Sequence, residues 1–400
     1  MDDFTVCAAE SLGAGGLGEE KERKRFRNMA KKILITGGAG FVGSHIADAL
    51  LARGHRVIAF DSLSPQVHPA GRPDYLSPDV ELVTGDMRDL EAVRQVVRGV
   101  DVIFHMAASV GVGQSMYEIA NYVSANTSGT ANLLQALLDA KSNIEKLVVA
   151  SSMSIYGEGK YLCVNCGQMS PAPRPSEQLK QKSWEVRCPQ CAVDLTPIPA
   201  SESKELQCTS IYALTKKDQE EMCLLFGRTY ELPVVALRFF NIYGTRQALS
   251  NPYTGVAAIF ASRLMNQRPP LIFEDGKQMR DFVSVHDVVQ ANLLAMESSQ
   301  ADGRALNVGS GVPISIREVA QALGKALGVN IPGEVTGKYR AGDIRHCFAD
   351  ISKAKTLLGF QPRVSFEKGM GELVEWLRLQ QAEDKAAEMV ANLSSFGLTA

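Results

Sequence analysis

Tyr212 and Lys216 lie four residues apart in IYALTKKDQEEMCLLFGRTY (211–230), a stretch that reads as helix. A spacing of i, i+4 puts both side chains on one helix face. An ammonium beside a phenol favours the phenolate. Bringing a tyrosine from ~10 to ~7 takes roughly 4 kcal/mol of differential stabilisation. A tyrosine so tuned can take the proton of an alcohol while a hydride leaves the same carbon. Ser152 ends the strand-like run KLVVASS (146–152) and can hydrogen-bond that alcohol. Taken alone, Y-x-x-x-K is common on helix surfaces, and its weight comes from what precedes it.

What precedes it is TGGAGFVG (36–43), between a strand-like and a helical run. Glycines 37, 40 and 43 allow a tight turn and let backbone approach a pyrophosphate, which the helix N-terminus then faces. Asp61 ends the next apolar run, eighteen residues after Gly43. A carboxylate at that distance accepts both ribose hydroxyls and repels a 2′-phosphate, favouring NAD over NADP. The bland alternative is a strand–helix turn with Asp61 capping a loop. Asp86 and Met87 end a further strand-like run, where they meet the adenine or simply make a turn; spacing alone does not choose.

The elements that must position these groups alternate. Strand-like runs at 32–36, 55–60, 80–85, 101–108 and 146–152 are separated by helical periods, as at Val42, Ile46, Ala49 and Leu50. Such alternation predicts βαβ units in a Rossmann-like, doubly wound parallel sheet. The expected division is a tail over 1–28, an NAD-binding domain over 29–244, a smaller lobe over 245–375 and a C-terminal tail over 376–400. Met29 directly precedes the first strand and is a candidate start. With 400 residues, 45% apolar and 22% charged, the chain can bury a sizeable core. A net charge of −2 argues against bulk binding of nucleic acid or anionic membrane. No apolar run approaches the ~18 residues of a membrane helix. The opening MDDFTVCAAE lacks a basic n-region, so the expected compartment is a reducing cytoplasm.

The eight cysteines then need explaining. Residues 158–205 break the βα rhythm and read as an insertion. Cys163 and Cys166 form one C-x-x-C knuckle, and Cys188 and Cys191 a second, with 21 residues between. Two such knuckles offer four thiolates to one tetrahedral ion, so the expectation is a structural, zinc-ribbon-like site that holds the segment folded. A redox pair and a ribbon that has lost its metal are the alternatives. Lying between Ser152 and Tyr212, the insertion is expected near the mouth of the site, over the substrate or at an interface. Its six basic and six acidic residues cancel, which disfavours nucleic acid.

TGGAGFVG (36–43), GDMRD (85–89), HMAA (105–108), NTSGT (126–130), SSMSIYG (151–157), YALTK (212–216), RFFNIYG (238–244) and RDFVSVHDV (280–288) together resemble the extended short-chain dehydrogenase/reductase family, the NAD-dependent nucleotide-sugar epimerases and dehydratases. The likeness runs over about 29–375, and the Ser152–Tyr212 insertion is its clearest departure. The resemblance implies that Ser152, Tyr212 and Lys216 are the catalytic residues. It implies cofactor contacts at Gly37, Gly40, Phe41, Val42, Gly43, Asp61, Asp86, Met87, Ala107, Asn126, Tyr212 and Lys216, with Asn126 also supporting the active-site helix. Asn241, Arg280 and Arg340 would hold the diphosphate of a nucleoside-diphosphate sugar. Asp287 is expected to cap a helix. A homodimer is expected by the same likeness.

Relatives that dehydrate or decarboxylate the sugar place acids between the serine and Tyr156, where this chain has Met153 and Ser154. The resemblance therefore points to 4-epimerisation through a 4-keto sugar. VGVGQSMYEI (110–119), SNPYTG (250–255) and TGKYRAGDIRHCFADI (336–351) are most similar to the bacterial 4-epimerases of dTDP-L-rhamnose. Those of UDP-glucose and UDP-N-acetylglucosamine come next. A 4-keto-sugar reductase and a non-catalytic, NAD-sensing scaffold are the remaining readings.

Overall fold

Runs of four to seven mostly Val, Ile, Leu, Ala and Phe residues have no polar face to offer water, so they form a sheet covered on both sides. The computed structural model describes residues 30–399. The expected tail over 1–28, with Cys7 and Met29, lies outside them. The chain-order strands are β1 (Lys32–Thr36), β2 (Arg56–Asp61), β3 (Glu81–Thr84), β4 (Val102–His105) and β5 (Lys146–Ser152). They are followed by β6 (Lys160–Cys163), β7 (Gly167–Met169), β8 (Thr196–Ile198), β9 (Val234–Phe239), β10 (Asn241–Tyr243), β11 (Leu271–Ile272), β12 (Met279–Ser284), β13 (Arg304–Val308), β14 (Pro313–Ser315), β15 (Glu334–Val335) and β16 (His346–Cys347). The seven-stranded sheet has the order β13-β9-β5-β4-β1-β2-β3, and all its pairs are parallel. The order reverses between β1 and β4, and the crevice at the C-terminal ends of those strands is where such folds bind ligands.

The helices that matter for the site are α1 (Phe41–Leu51), α2 (Gly129–Asp139) and α3 (Ile211–Tyr230). The helix expected from 211 forms over that stretch, capped by Ser210, whose hydroxyl accepts from the Ala213 N–H.

The expected division at 244/245 does not follow the layers. Helix α4 (Val285–Glu297) packs on α1, and β13 becomes the edge strand beside β9. Leu306 and Val308 of β13 are fully buried there. Residues 376–399 are not a tail either. Helix α5 (Phe366–Leu377) reaches into that range, and α6 (Ala386–Ser395) buries Ala386, Met389 and Leu393. Asp287 is not a cap: Ser284 caps α4, while the buried Asp287 accepts from the Arg363 and Val364 N–H groups.

The small lobe is built on β12, which pairs with β10, β14 and β16. Residues 158–205 carry the antiparallel order β7-β6-β8.

Candidate active site

The turn between β1 and α1 tolerates nothing larger than glycine at two places. A Cβ at Gly43 would lie 2.3 Å from the Gly37 carbonyl oxygen, and one at Gly37 would meet the Ala107 backbone at 2.9 Å. Gly37 also sits at φ +68°, where L side chains are strained. Helix α1 starts without a side-chain cap, so its first N–H groups face the cavity unpaired by side chains. Asp61 at the end of β2 accepts from the Ala39 N–H at 3.0 Å and the Leu63 N–H at 2.9 Å. A carboxylate has about four acceptor sites, so it keeps capacity for two ribose hydroxyls. These features fit a dinucleotide. Asp86 is ion-paired with Arg88, whose hydrogen bond holds its carboxyl below the usual range. Asn132 holds the Met87 carbonyl at 2.9 Å.

One cavity of about 700 Å³ joins this turn to the small lobe. Gly37, Gly40, Phe41, Val42, Gly43, Asp61, Asp86, Met87, Ala107, Ser152, Tyr212, Lys216, Asn241, Arg280 and Arg340 all line it. Asn126 does not. It is fully buried behind the wall, bonded to both backbone groups of Ser109 and to the Thr215 hydroxyl. It therefore ties the 109 loop to α3 rather than reaching a ligand.

Ser152 Oγ accepts from the Ser154 N–H at 3.1 Å and the Ser154 hydroxyl at 2.9 Å. With two donors on its oxygen, its own proton is left for a further acceptor. Burial pushes the Tyr212 phenol up, and the Ser152 hydrogen bond draws it back in part. The expected lowering by Lys216 is absent from the protein alone. The Lys216 ammonium donates instead to Gln219 Oε1 at 2.6 Å, and burial lowers it to about 7. Gln219 Nε2 in turn donates to Thr130 Oγ1 at 2.9 Å and pairs with His105 Nε2 at 3.2 Å. Burial, then Lys216, lowers His105 to about 3, so it is neutral.

Gln219, His105, Thr130 and Ser154 were not singled out from the sequence as positioning groups. Gln219 lies three residues after Lys216 on one face, a signal that was available. The Thr130–His105 bond joins α2 to β4 and left none.

At the other end, Asn241 Oδ1 is buried without a protein partner. Arg280 donates to the Arg345 carbonyl at 3.0 Å and to the Ile344 carbonyl. Arg340 and Arg280 share the carboxylate of Asp343, at 2.8 and 3.4 Å. Burial pushes Asp343 up, but these arginines outweigh it and hold the carboxyl below its usual value. Two guanidinium groups suit a diphosphate, and Asn241 would serve it through its amide N–H groups, since its oxygen only accepts.

The cysteine sulfurs of residues 163, 166, 188 and 191 lie within 4.8 Å of one another. No residue of 158–205 lines the cavity, so the insertion does not cover the substrate as expected. Among the described residues no helix is long and apolar enough to cross a membrane.

The chain is similar to known proteins over nearly this whole span. The profile of the NAD dependent epimerase/dehydratase family matches residues 33–178, and that of GDP-mannose 4,6 dehydratase matches residues 194–373. A dTDP-L-rhamnose 4-epimerase of Burkholderia thailandensis is 35% identical over 87% of this chain and 95% of its own length. A UDP-N-acetyl-alpha-D-glucosaminuronate decarboxylase of Bacillus cytotoxicus is 32% identical over 88% and 98%. The crystal structure of Thermus thermophilus UDP-glucose 4-epimerase in complex with NAD superposes with a TM-score of 0.70 at 30% identity, covering 87% of this chain and 99% of that one.

Proposed function

This chain belongs to the NAD-dependent epimerase/dehydratase family and is an isomerase of the nucleotide-sugar epimerase type, and from that premise we propose that it inverts C4 of a nucleoside-diphosphate hexose, with dTDP-L-rhamnose as the best candidate. The observation that carries the reading is where the acids are. The carboxylates lining the cavity are Asp61, Asp86 and Asp343, at the cofactor turn and the diphosphate end. Beside Ser152 and Tyr212 stand Met153 and Ser154. Dehydration or decarboxylation needs a proton moved at a second carbon, and no carboxylate there can move it.

The chemistry a bound NAD supplies is reversible hydride storage. The chain's own part is the proton. Tyr212 takes it from the C4 hydroxyl as the carbonyl forms and gives it back afterwards. Ser152, its proton left for a further acceptor, steadies the same oxygen. Arg280, Arg340 and Asn241 hold the diphosphate while the keto sugar turns and presents its other face. Lys216 and the glycines at 37, 40 and 43 hold the cofactor. Cofactor is conserved in this cycle, which distinguishes it from a 4-keto reductase. An intact Ser152–Tyr212–Lys216 set is unneeded by an NAD-sensing scaffold.

The four-cysteine cluster is read as a closed structural zinc site, because four thiolates leave no open position. The expected homodimer is checked by light scattering.

The test is protein incubated with dTDP-L-rhamnose, without added NAD, and followed by proton NMR. Appearance of dTDP-6-deoxy-L-talose supports the reading. No conversion of this sugar rules out dTDP-L-rhamnose and moves the substrate to UDP-hexoses. Conversion only with added NADH, consumed in step, favours the reductase.

A further inference from the structure

The cysteine insertion lies outside the cavity, yet a chain of buried charges joins it to the diphosphate end. Glu185 stands three residues before Cys188. Its carboxylate accepts from Arg345 at 2.5 Å and pairs with His346 Nε2 at 3.1 Å. Arg345 is fully buried and also donates to Glu274 at 2.9 Å and Asp275 at 2.7 Å. Its backbone N–H donates to Glu158 of the insertion at 2.6 Å, and its carbonyl receives Arg280 at 3.0 Å. A second arm runs through Arg174, which donates to the Trp184 carbonyl at 3.0 Å, to Glu274 at 2.8 Å and to the Asp343 carbonyl at 3.2 Å. The Trp184 ring meets that of Tyr339, the neighbour of Arg340, at 6.4 Å. Residues 339–346 are thus clasped between the insertion and β12, and the clasped segment carries Arg340 and the carbonyls that aim Arg280.

The insertion cannot hold this clasp by packing alone. Its own core is Tyr161, Cys163, Val186, Cys188 and Leu195, and two of those five are ligand-type cysteines. So small a core needs a staple. The two chain segments flanking the Cys188–Cys191 knuckle are held by the Cys188–Val193 and Leu195–Val186 backbone bonds, both 2.8 Å, and an Arg187–Asp194 bridge. An ion at the four sulfurs would lock this hairpin, and Glu185 leaves it directly.

We propose that the insertion, closed by a soft tetrahedral cation such as zinc, is a positioning module for Arg280 and Arg340, and that Glu185 is the residue through which it acts. The proposal rests on the reading that these arginines bind a nucleoside diphosphate. It makes metal occupancy a determinant of nucleotide affinity, separate from hydride chemistry and from NAD retention. Glu185 touches neither the Ser152–Tyr212–Lys216 wall nor the α1 turn.

The experiment is titration of the holoenzyme with dTDP and with UDP by calorimetry, which needs no turnover. In Glu185→Gln, Kd for the tighter nucleotide is expected to rise about tenfold, KM for the sugar nucleotide to rise in step, and kcat and bound NAD to stay within about twofold. The substitution removes a negative charge near an anion site, so charge alone would tighten binding. Weakening therefore isolates positioning. Stripping the metal with a chelator is expected to weaken binding by a similar factor, restored by added zinc. Cys191→Ser is the matching variant, and Glu185→Gln keeps the test sound if that variant misfolds. Unchanged nucleotide affinity in Glu185→Gln overturns the positioning role. Weakened binding in Glu185→Gln with no metal in the purified protein overturns the metal's part alone. Failure of both nucleotides to bind the parent protein overturns the diphosphate reading itself, and the positioning role with it.

Discussion

Lys216 donates to Gln219 at 2.6 Å, one turn along the same helix, so a neutral amide rather than a carboxylate holds the buried ammonium. Gln219 is itself fixed by Thr130 and His105. The expected effect of Gln219→Leu follows from this geometry. The ammonium loses its acceptor, and a buried donor left unpaired costs about 1–3 kcal/mol. Urea unfolding at pH 6 is expected to show a loss of that order. Turnover is expected to fall about tenfold while bound NAD persists. Unchanged turnover would mean that the amide does not position the lysine.

The depressed pKa of Lys216, about 7, makes a signed prediction. Its unfolded value is the ordinary 10.5. Between those values the unfolded chain binds more protons, so stability rises with pH there, at up to ~1.4 kcal/mol per unit. Below about 7 both states are protonated and this contribution is flat. Lys216→Met removes it. Measured from pH 7 to 10, the unfolding free energy of the parent is expected to rise steadily relative to that of Lys216→Met. A constant difference would show an ordinary lysine.

Behind the strand that ends in Ser152, Glu220 accepts from Arg238 at 2.5 Å and from the Ser151 hydroxyl at 2.6 Å, all three buried. Glu220→Ala strands a buried guanidinium, and breaking one side of such a pair costs about 3–5 kcal/mol. Denaturant melts of Glu220→Ala and of the double variant Glu220→Ala/Arg238→Met settle it. The double variant is expected to recover part of the loss, and no recovery would place the effect elsewhere.

The Rossmann half was legible because its signals are local. β1 and β5 form over the residues that their apolar runs mark, and the 211–230 period becomes one helix. Gly37 and Gly43 could be read because both lie in one βα turn, and Asp61 because it ends the next strand in sequence. The small lobe was not legible in the same way. Nothing in RALNV announces that β13 returns to the far edge of the main sheet, since its partner β9 lies some seventy residues earlier. The last helix, α6, lines the cavity through Ala386, Met389 and Leu393, a placement set by packing across the whole chain. The clasp between Glu185 and Arg345 spans 160 residues, and charge spacing along the sequence carries no trace of it.

Gly43→Ala tests the dinucleotide turn by size alone. The added Cβ would stand 2.3 Å from the Gly37 carbonyl oxygen and 2.8 Å from Gly38 Cα, both backbone atoms that cannot swing aside. The turn must open to admit it, at a cost of at least the ~1–3 kcal/mol typical of overpacking. Opening displaces the α1 N–H groups that would face a dinucleotide's pyrophosphate. Loss of bound NAD on purification is expected, together with a lower Tm. Full NAD content in Gly43→Ala would show that the cofactor's phosphates sit elsewhere.

Tyr212→Phe separates an enzyme from a scaffold that merely holds NAD. Only the phenol oxygen is removed, so the substitution disturbs little packing. Without the phenol nothing on that wall accepts the C4 proton, and general-base steps contribute typically 10²–10⁴-fold. Turnover is expected to fall by that factor with NAD content unchanged. Because burial raises the Tyr212 pKa in the protein alone, the parent's kcat/KM is expected to climb with pH as the phenolate fraction grows, and the residual rate of Tyr212→Phe is expected to lose that climb. A variant that keeps turnover within about twofold, or keeps the same pH profile, would remove Tyr212 from the proton path and leave the wall without a base.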